Sequence, residues 1–170
     1  MEAISPPVRS NESVTGLFVI HSAPLALKPH IEWAIQSILG TGVTISWKSQ
    51  SLAPGTYRTS LDFRGKSGLA ATIASSLASW RYLRFEVREE NLRGGEFYRF
   101  TPDLGMHRAV IDASGSVMIT ENQIADAMAA SFDEDSLREL LERAIGNQWD
   151  VELELFRGVE LREVARLHAM

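Results

Sequence analysis

Apolar residues recur along this chain with several periods, and each period marks a kind of element. Leu17-Phe18-Val19-Ile20 is apolar without alternation, the pattern of a strand covered on both faces, so a central strand is expected over residues 14–20. Pro29 suits the first turn of a helix, where its missing N–H costs nothing. Ile31, Ala34, Ile35, Ile38 and Leu39 then repeat at helical spacing until Gly40 and Gly42 end the run. Val43, Ile45 and Trp47 alternate with polar residues. Tyr57, Thr59, Leu61 and Phe63 alternate with Arg58, Ser60, Asp62 and Arg64. Two strands are expected there, joined through the turn residues Pro54-Gly55. Leu69, Ile73, Leu77 and Trp80 return to helical register over residues 68–80. Leu83, Phe85 and Val87 then alternate with Arg84, Glu86 and Arg88.

The order β-α-β-β-α-β is the ferredoxin-like, split βαβ pattern, with both helices expected on one sheet face. Past residue 90 the pattern changes. "EENLRGGE" reads as a loop, and "FYRFTPDLGMHRAVIDASGSVMIT" as two or three strands with a hairpin turn at residues 112–115. Thr120 and Gln123 are spaced as a capping box, and Ser136 and Glu139 repeat that spacing before an acidic helix. Trp149, Leu153 and Phe156 suggest a further helix, and "ELREVARLHAM" a short last one. The fold class is therefore α+β: a ferredoxin-like βαββαβ half over residues 14–90, and an appended β-hairpin with C-terminal helices over 91–170. The two form a single domain behind a leader, residues 1–13, marked by Pro6-Pro7. Phe18, Ile20, Ile35, Ile45, Leu61, Phe63, Phe85 and Val87 are the expected core. Trp33 points away from the apolar stripe of its helix, so it is expected in an interface, under the C-terminal helices or across a homodimer.

Composition narrows the function. Hydrophobic residues make up 45% of the 170, enough for a real core. A net charge of −5 argues against a dedicated binder of nucleic acid or anionic membrane. The absence of cysteine removes thiol catalysis and thiolate metal sites, and suits a reducing cytoplasm. No stretch reaches the roughly 18 apolar residues of a spanning helix, and the chain start lacks a signal-peptide pattern. The aromatics of the first four strands fall on the helix-covered face rather than an open one, so base stacking of the RNA-recognition kind is not expected. Neither "GTG" nor "FRGKSG" completes a phosphate-loop motif.

"GLFVIHSAPLALKPHIEWAI", "RYLRFEVREE" and "FTPDLGMHRAVIDASG" together resemble a small actinobacterial family classed as a domain of unknown function. The resemblance runs from Thr15 to about Phe156. It implies a bacterial cytoplasmic protein and carries over no functional residue.

Candidate chemistry gathers at the first strand–helix joint. His21 ends the first strand, His30 opens the next helix, and His107 lies near Asp103 in the later hairpin. If that hairpin packs beside the joint, His21, His30 and His107 with the Asp103 carboxylate would make a set for a divalent metal or for acid–base work. The spacing matches no recognised metal signature, and a hydrogen-bonded His21 with a polar helix-start His30 is the favoured reading. In "TPDLGMH", Asp103 is expected to make an Asx-turn. The leading expectation is a binding or regulatory module, acting through a protein partner, a homodimer or a small ligand, with no cofactor. The alternative is a small enzyme or metal-dependent protein using His21, His30, Asp103 and His107.

Overall fold

The first strand, β1 (Ser13–Pro24), lies inside the sheet, as its unbroken apolar run demands. The structure is a computed structural model that describes residues 12–169. Helix α1 (Lys28–Leu39) follows a 3-10 turn over Leu25–Leu27, and the remaining elements are β2 (Lys48–Ser49), β3 (Thr56–Lys66), α2 (Leu69–Leu77), β4 (Arg84–Asn91), β5 (Gly94–Thr101), β6 (Gly105–Asp112), β7 (Val117–Met118), α3 (Glu121–Ala130), α4 (Glu134–Ile145) and α5 (Asn147–His168). The fold is α+β. Seven strands form one antiparallel sheet in the order β2-β3-β1-β4-β5-β6-β7. Of the expected leader, residues 1–11 lie outside the described residues, while Ser13 already pairs with Lys66 in β1.

Helices α1 and α2 cover one face. Phe18, Ile20, Phe63, Phe85 and Val87 point at Ile31, Ile35, Ile73 and Leu77, the largest buried cluster. Phe85 stacks on Phe100 of the neighbouring β5, with centroids 5.1 Å apart. Ile45 and Leu61, expected in the core, are half-buried at its margin. Helix α2 has no side-chain cap from its own chain start; Glu89 of β4 accepts from the backbone N–H groups of Gly68 and Ala70 (both 2.8 Å) and so satisfies two donors at that end.

The opposite face carries α5. Cover for β1 thus comes from the appended part of the chain. Trp149 and Leu153 of α5 are buried, and its charged residues meet the polar face of the sheet. Since α5 packs on the face away from α1, Trp33 is not under the C-terminal helices; it is 73% exposed.

Four further expectations are corrected. Residues 43–47 alternate in burial but form no ladder. They are tied to neighbours by side chains instead, with Thr59 Oγ1 donating to Ser46 O (2.7 Å) and Gln36 Nε2 to Val43 O (3.2 Å), so β2 shrinks to two residues. "EENLRGGE" is a tight hairpin in which Asn91 pairs with Gly94. Helix α4 starts earlier than expected because Asp133 is its cap, with Ser136 as the reciprocal partner. The two expected last helices are one, since nothing between residues 147 and 168 breaks the helical hydrogen-bond run.

Phe85 is fully buried between helices and sheet. Phe85→Ala is predicted to destabilise the protein by about 3–5 kcal/mol, the usual range for a buried aromatic. Urea unfolding measures it, and a loss below about 0.5 kcal/mol would contradict this packing.

Candidate functional site

One residue row crosses the sheet on the α5 face. Register sets Val19 against Glu86, Glu86 against Arg99, and Arg99 against His107. In an apolar core such a row would be intolerable, because each buried charge needs a partner. Here α5 supplies the partners. Both oxygens of Glu86 receive Arg157, through Nε at 3.0 Å and through Nη2. Arg157 also reaches Asp150 Oδ1 (2.9 Å), whose other oxygen takes Arg99 Nη1 (2.7 Å). Arg99 Nη2 donates to His107 Nδ1 (3.0 Å). A guanidinium only donates, so Nδ1 accepts, and Nε2–H of His107 is given to Ala144 O (2.9 Å).

His21 closes the other end of this chain. A β-bulge makes that possible. The pairing of β1 with β4 shifts by one residue between Ile20 and Ser22, so His21 and Ser22 both project toward α5. The His21 carbonyl is taken up by the buried Gln50 side chain (2.8 Å). His21 Nε2 donates to Glu86 Oε2 (2.6 Å). Its Nδ1 has no hydrogen-bond partner among the described residues.

Arg99 is the deepest charge, with no exposed surface. Besides Asp150 and His107 it serves the carbonyls of Ile145 (2.8 Å) and Gly146 (3.3 Å), the C-terminal end of α4, where a cation also meets the negative pole of the helix. Gly146 has φ +83°, and any side chain there would run into the Arg99 guanidinium. The α4–α5 corner therefore needs glycine twice over. Trp149 completes the anchor, lying 4.8 Å from the His107 ring and donating Nε1–H to Gly105 O (2.9 Å).

Toward the C-terminal half of α5 the contact opens into a groove of about 740 Å3. Leu17, Val19 and Phe97 form its floor, Leu161 and Val164 its helical wall, and His21, Glu86 and Arg157 line it too. Leu17, Leu161 and Val164 are exposed in it.

The four expected site residues part company. His21 and His107 share the polar chain, at opposite ends. His30 is exposed at the start of α1, on the far face of the sheet beside Trp80. Asp103 is exposed at the tip of the β5–β6 hairpin, where Thr101 Oγ1, and not Asp103, accepts from the Leu104 N–H (3.2 Å). Among the described residues no group of three or more His, Asp or Glu is placed to hold a metal ion. No helix among them is long and apolar enough to cross a membrane. Glu86, Arg99, Asp150 and Arg157 are the residues that sequence reasoning left out. Their one signal was a pair of ionisable side chains, Glu86 and Arg99, at strand centres between aromatic and branched neighbours.

The chain belongs to the family described as "Protein of unknown function (DUF3145)", which matches residues 17–169. That span contains every member of the polar chain. No curated protein and no solved structure matches.

Burial pushes the Glu86 carboxyl up, but the hydrogen bonds and charges of His21 and Arg157 outweigh it and hold it at about 2, against an ordinary 4.5. A depressed carboxyl stabilises the fold above its unfolded pKa, and that stability is lost as pH falls toward the folded value. The loss between pH 5 and 2 is predicted to be on the order of 3 kcal/mol from Glu86 alone. His107 is also pulled down, by burial first and by Arg99, against the opposing bond to Ala144 O. It binds its proton more readily unfolded, so it adds to the loss below about pH 6.5. Denaturation curves across pH for the native protein and Glu86→Gln check this. The variant should be less stable at pH 7 and lose less on acidification; parallel curves would refute the role of Glu86.

Proposed function

We propose that this member of the family is a small-ligand-binding module whose ligand lies in the groove between α5 and the sheet. The observation that carries the reading is the groove itself. Its volume is in the range of small-molecule sites, its walls are mostly apolar, and its polar groups converge at His21, Glu86 and Arg157. Glu86 and Arg157 already answer each other, so a charged ligand has little to gain there. Arg88 and Glu160 line the groove as well, and at its His21 end the free group is Nδ1, an acceptor when Nε2 carries the proton. The ligand that fits is an elongated or flat apolar molecule with one hydroxyl or amide donor.

In this reading His21 orients the ligand and His107 holds the α4–α5 corner in place, while His30 and Asp103 have no role. No cofactor is required. The strand order β2-β3-β1-β4 supports a ferredoxin-like half over residues 14–90, with 91–170 as a hairpin and helical extension of the same domain. The resemblance to an actinobacterial family and the lack of cysteine support a bacterial cytoplasmic setting. A regulatory role would need a protein partner or a second copy of the chain, and the exposed Trp33 is the feature that supports one.

The alternative is a small enzyme in which His21 takes a proton. An ionised carboxylate on Nε2 leaves Nδ1 as the free acceptor, as a general base requires. Cleavage of p-nitrophenyl acetate that falls with His21→Gln would favour it; an unchanged rate would dispose of it.

The binding reading is tested with the uncharged fluorophore N-phenylnaphthylamine. Saturable enhancement with a blue shift is expected for the native protein. Leu17→Glu and Val164→Glu, both at exposed positions, should weaken it at least about tenfold by placing charge in an apolar wall. Absence of saturable binding, or equal binding by both variants, overturns the proposal.

A further inference from the structure

The other flank of α5 carries a pocket of opposite character. Between α5 and the β2–β3 edge is a cavity of about 320 Å3 whose lining includes Ser49, Ser51, Arg58, Arg162, Glu163 and Arg166. Three arginines face a single carboxylate there, in a chain whose net charge is −5.

Arg58 is the informative one. It sits on β3 and is only 7% exposed. Its Nη2 donates to Glu163, but neither Nε nor Nη1 has a hydrogen-bond partner among the described residues, and Nε is sealed from solvent. Arg88 and Arg99 also carry a partnerless Nε, so that atom marks nothing by itself; what bears on the pocket is the second free donor group, Nη1, on a buried side chain that lines it. Glu163 is shared besides with Lys48 Nζ (3.3 Å), which adds a further positive charge. Arg162 and Arg166 are a like-charge pair one turn apart on α5, an arrangement that destabilises a helix unless something answers both. Arg162 gives its Nε to Gly158 O (3.0 Å), and neither arginine has a carboxylate partner among the described residues. Proximity to the C-terminal end of α5 accounts for Arg166 through the helix dipole. It does not account for Arg58, which comes from the sheet.

We propose that this pocket binds a phosphate group, carried by a small phosphorylated molecule. Planar guanidinium forks match phosphate oxygens in pairs, and two serine hydroxyls at the rim can donate to a third. The cavity has room for a phosphate and a short organic body. This site stands apart from the apolar groove and does not depend on it, since α5 lies between them.

Calorimetric titration with inorganic phosphate and with glycerol phosphate, at constant ionic strength, tests it. Saturable binding of either is expected, and the double variant Arg162→Gln/Arg166→Gln should weaken it at least tenfold. Both positions are exposed, so the variant should keep its fold, which circular dichroism verifies. Arg138→Gln, on α4, should bind as the native protein does. Tighter binding of glycerol phosphate means the pocket takes the organic body as well; equal binding means it reads the phosphate alone. No saturable heat, an equal response to chloride, or full binding by the double variant would overturn the proposal.

Discussion

Arg99 is the group on which the second half of this protein depends. It is a full charge with no exposed surface, and it is served by Asp150, by His107, and by two carbonyls at the end of α4. Buried ion pairs add little to stability by themselves, because desolvation consumes most of the Coulomb gain. What they impose is geometry. An uncompensated guanidinium in this position would cost several kcal/mol, so alternative placements of the α4–α5 corner are excluded more strongly than the native one is favoured. Glu86 repeats the constraint further along α5 through Arg157. The helix is thus held by charge at Asp150, Glu152, Arg157 and Glu163 and by apolar contact at Trp149 and Leu153.

That mode of attachment explains the groove. A helix packed by small apolar side chains lies close to its sheet along its whole length. Here the spacing is set by arginine and glutamate side chains, and beyond Arg157 the contacts that hold α5 lie on its β3 side, from Arg58 and Lys48 to Glu163 and from Ser60 to Glu160. Leu17 and Val19 on the sheet and Leu161 and Val164 on the helix face each other across the gap instead of meeting. The exposed Leu17, which in a plain central strand would be an anomaly, follows from this.

Much of the fold was legible because it rests on short-range pattern. The unbroken Leu17–Ile20 run, the stripe of Ile31 and Ile35, and the alternation of Phe85 and Val87 report the helix-covered core directly. The failures came where long-range partners decide. Residues 43–47 alternate like a strand, yet side-chain bonds from Thr59 and Gln36 take the place of a ladder. Arg58, Arg84, Glu86 and Arg88 alternate as a mixed-charge face, and no local signal said that Glu152, Arg157 and Glu163, some seventy to a hundred residues away, would be the groups that cover it. Of the site, only the two histidines on that face could be picked out. Parity along a strand assigns His21 to the α5 side, but the bulge that turns Ser22 to the same side is a property of the paired sheet. His30 is near His21 in sequence and on the other side of the sheet.

Helix α5 therefore divides its face of the sheet into two environments with different chemistry. On one flank its Leu161 and Val164 face β1 and β5 across the groove, and Glu86 and Arg157 are already paired with each other. On the other, Arg162 and Arg166 meet β3 at Arg58, and positive charge is in excess. Residues 161 and 164 alternate with 162 and 166 around the helix, so the two flanks follow from the 3.6-residue period of one uninterrupted element. Had the chain ended α5 after Phe156 and begun a separate short helix, that phase relation would be lost. The continuity of α5 over Asn147–His168 is what sets an apolar groove and a basic pocket side by side on one small domain.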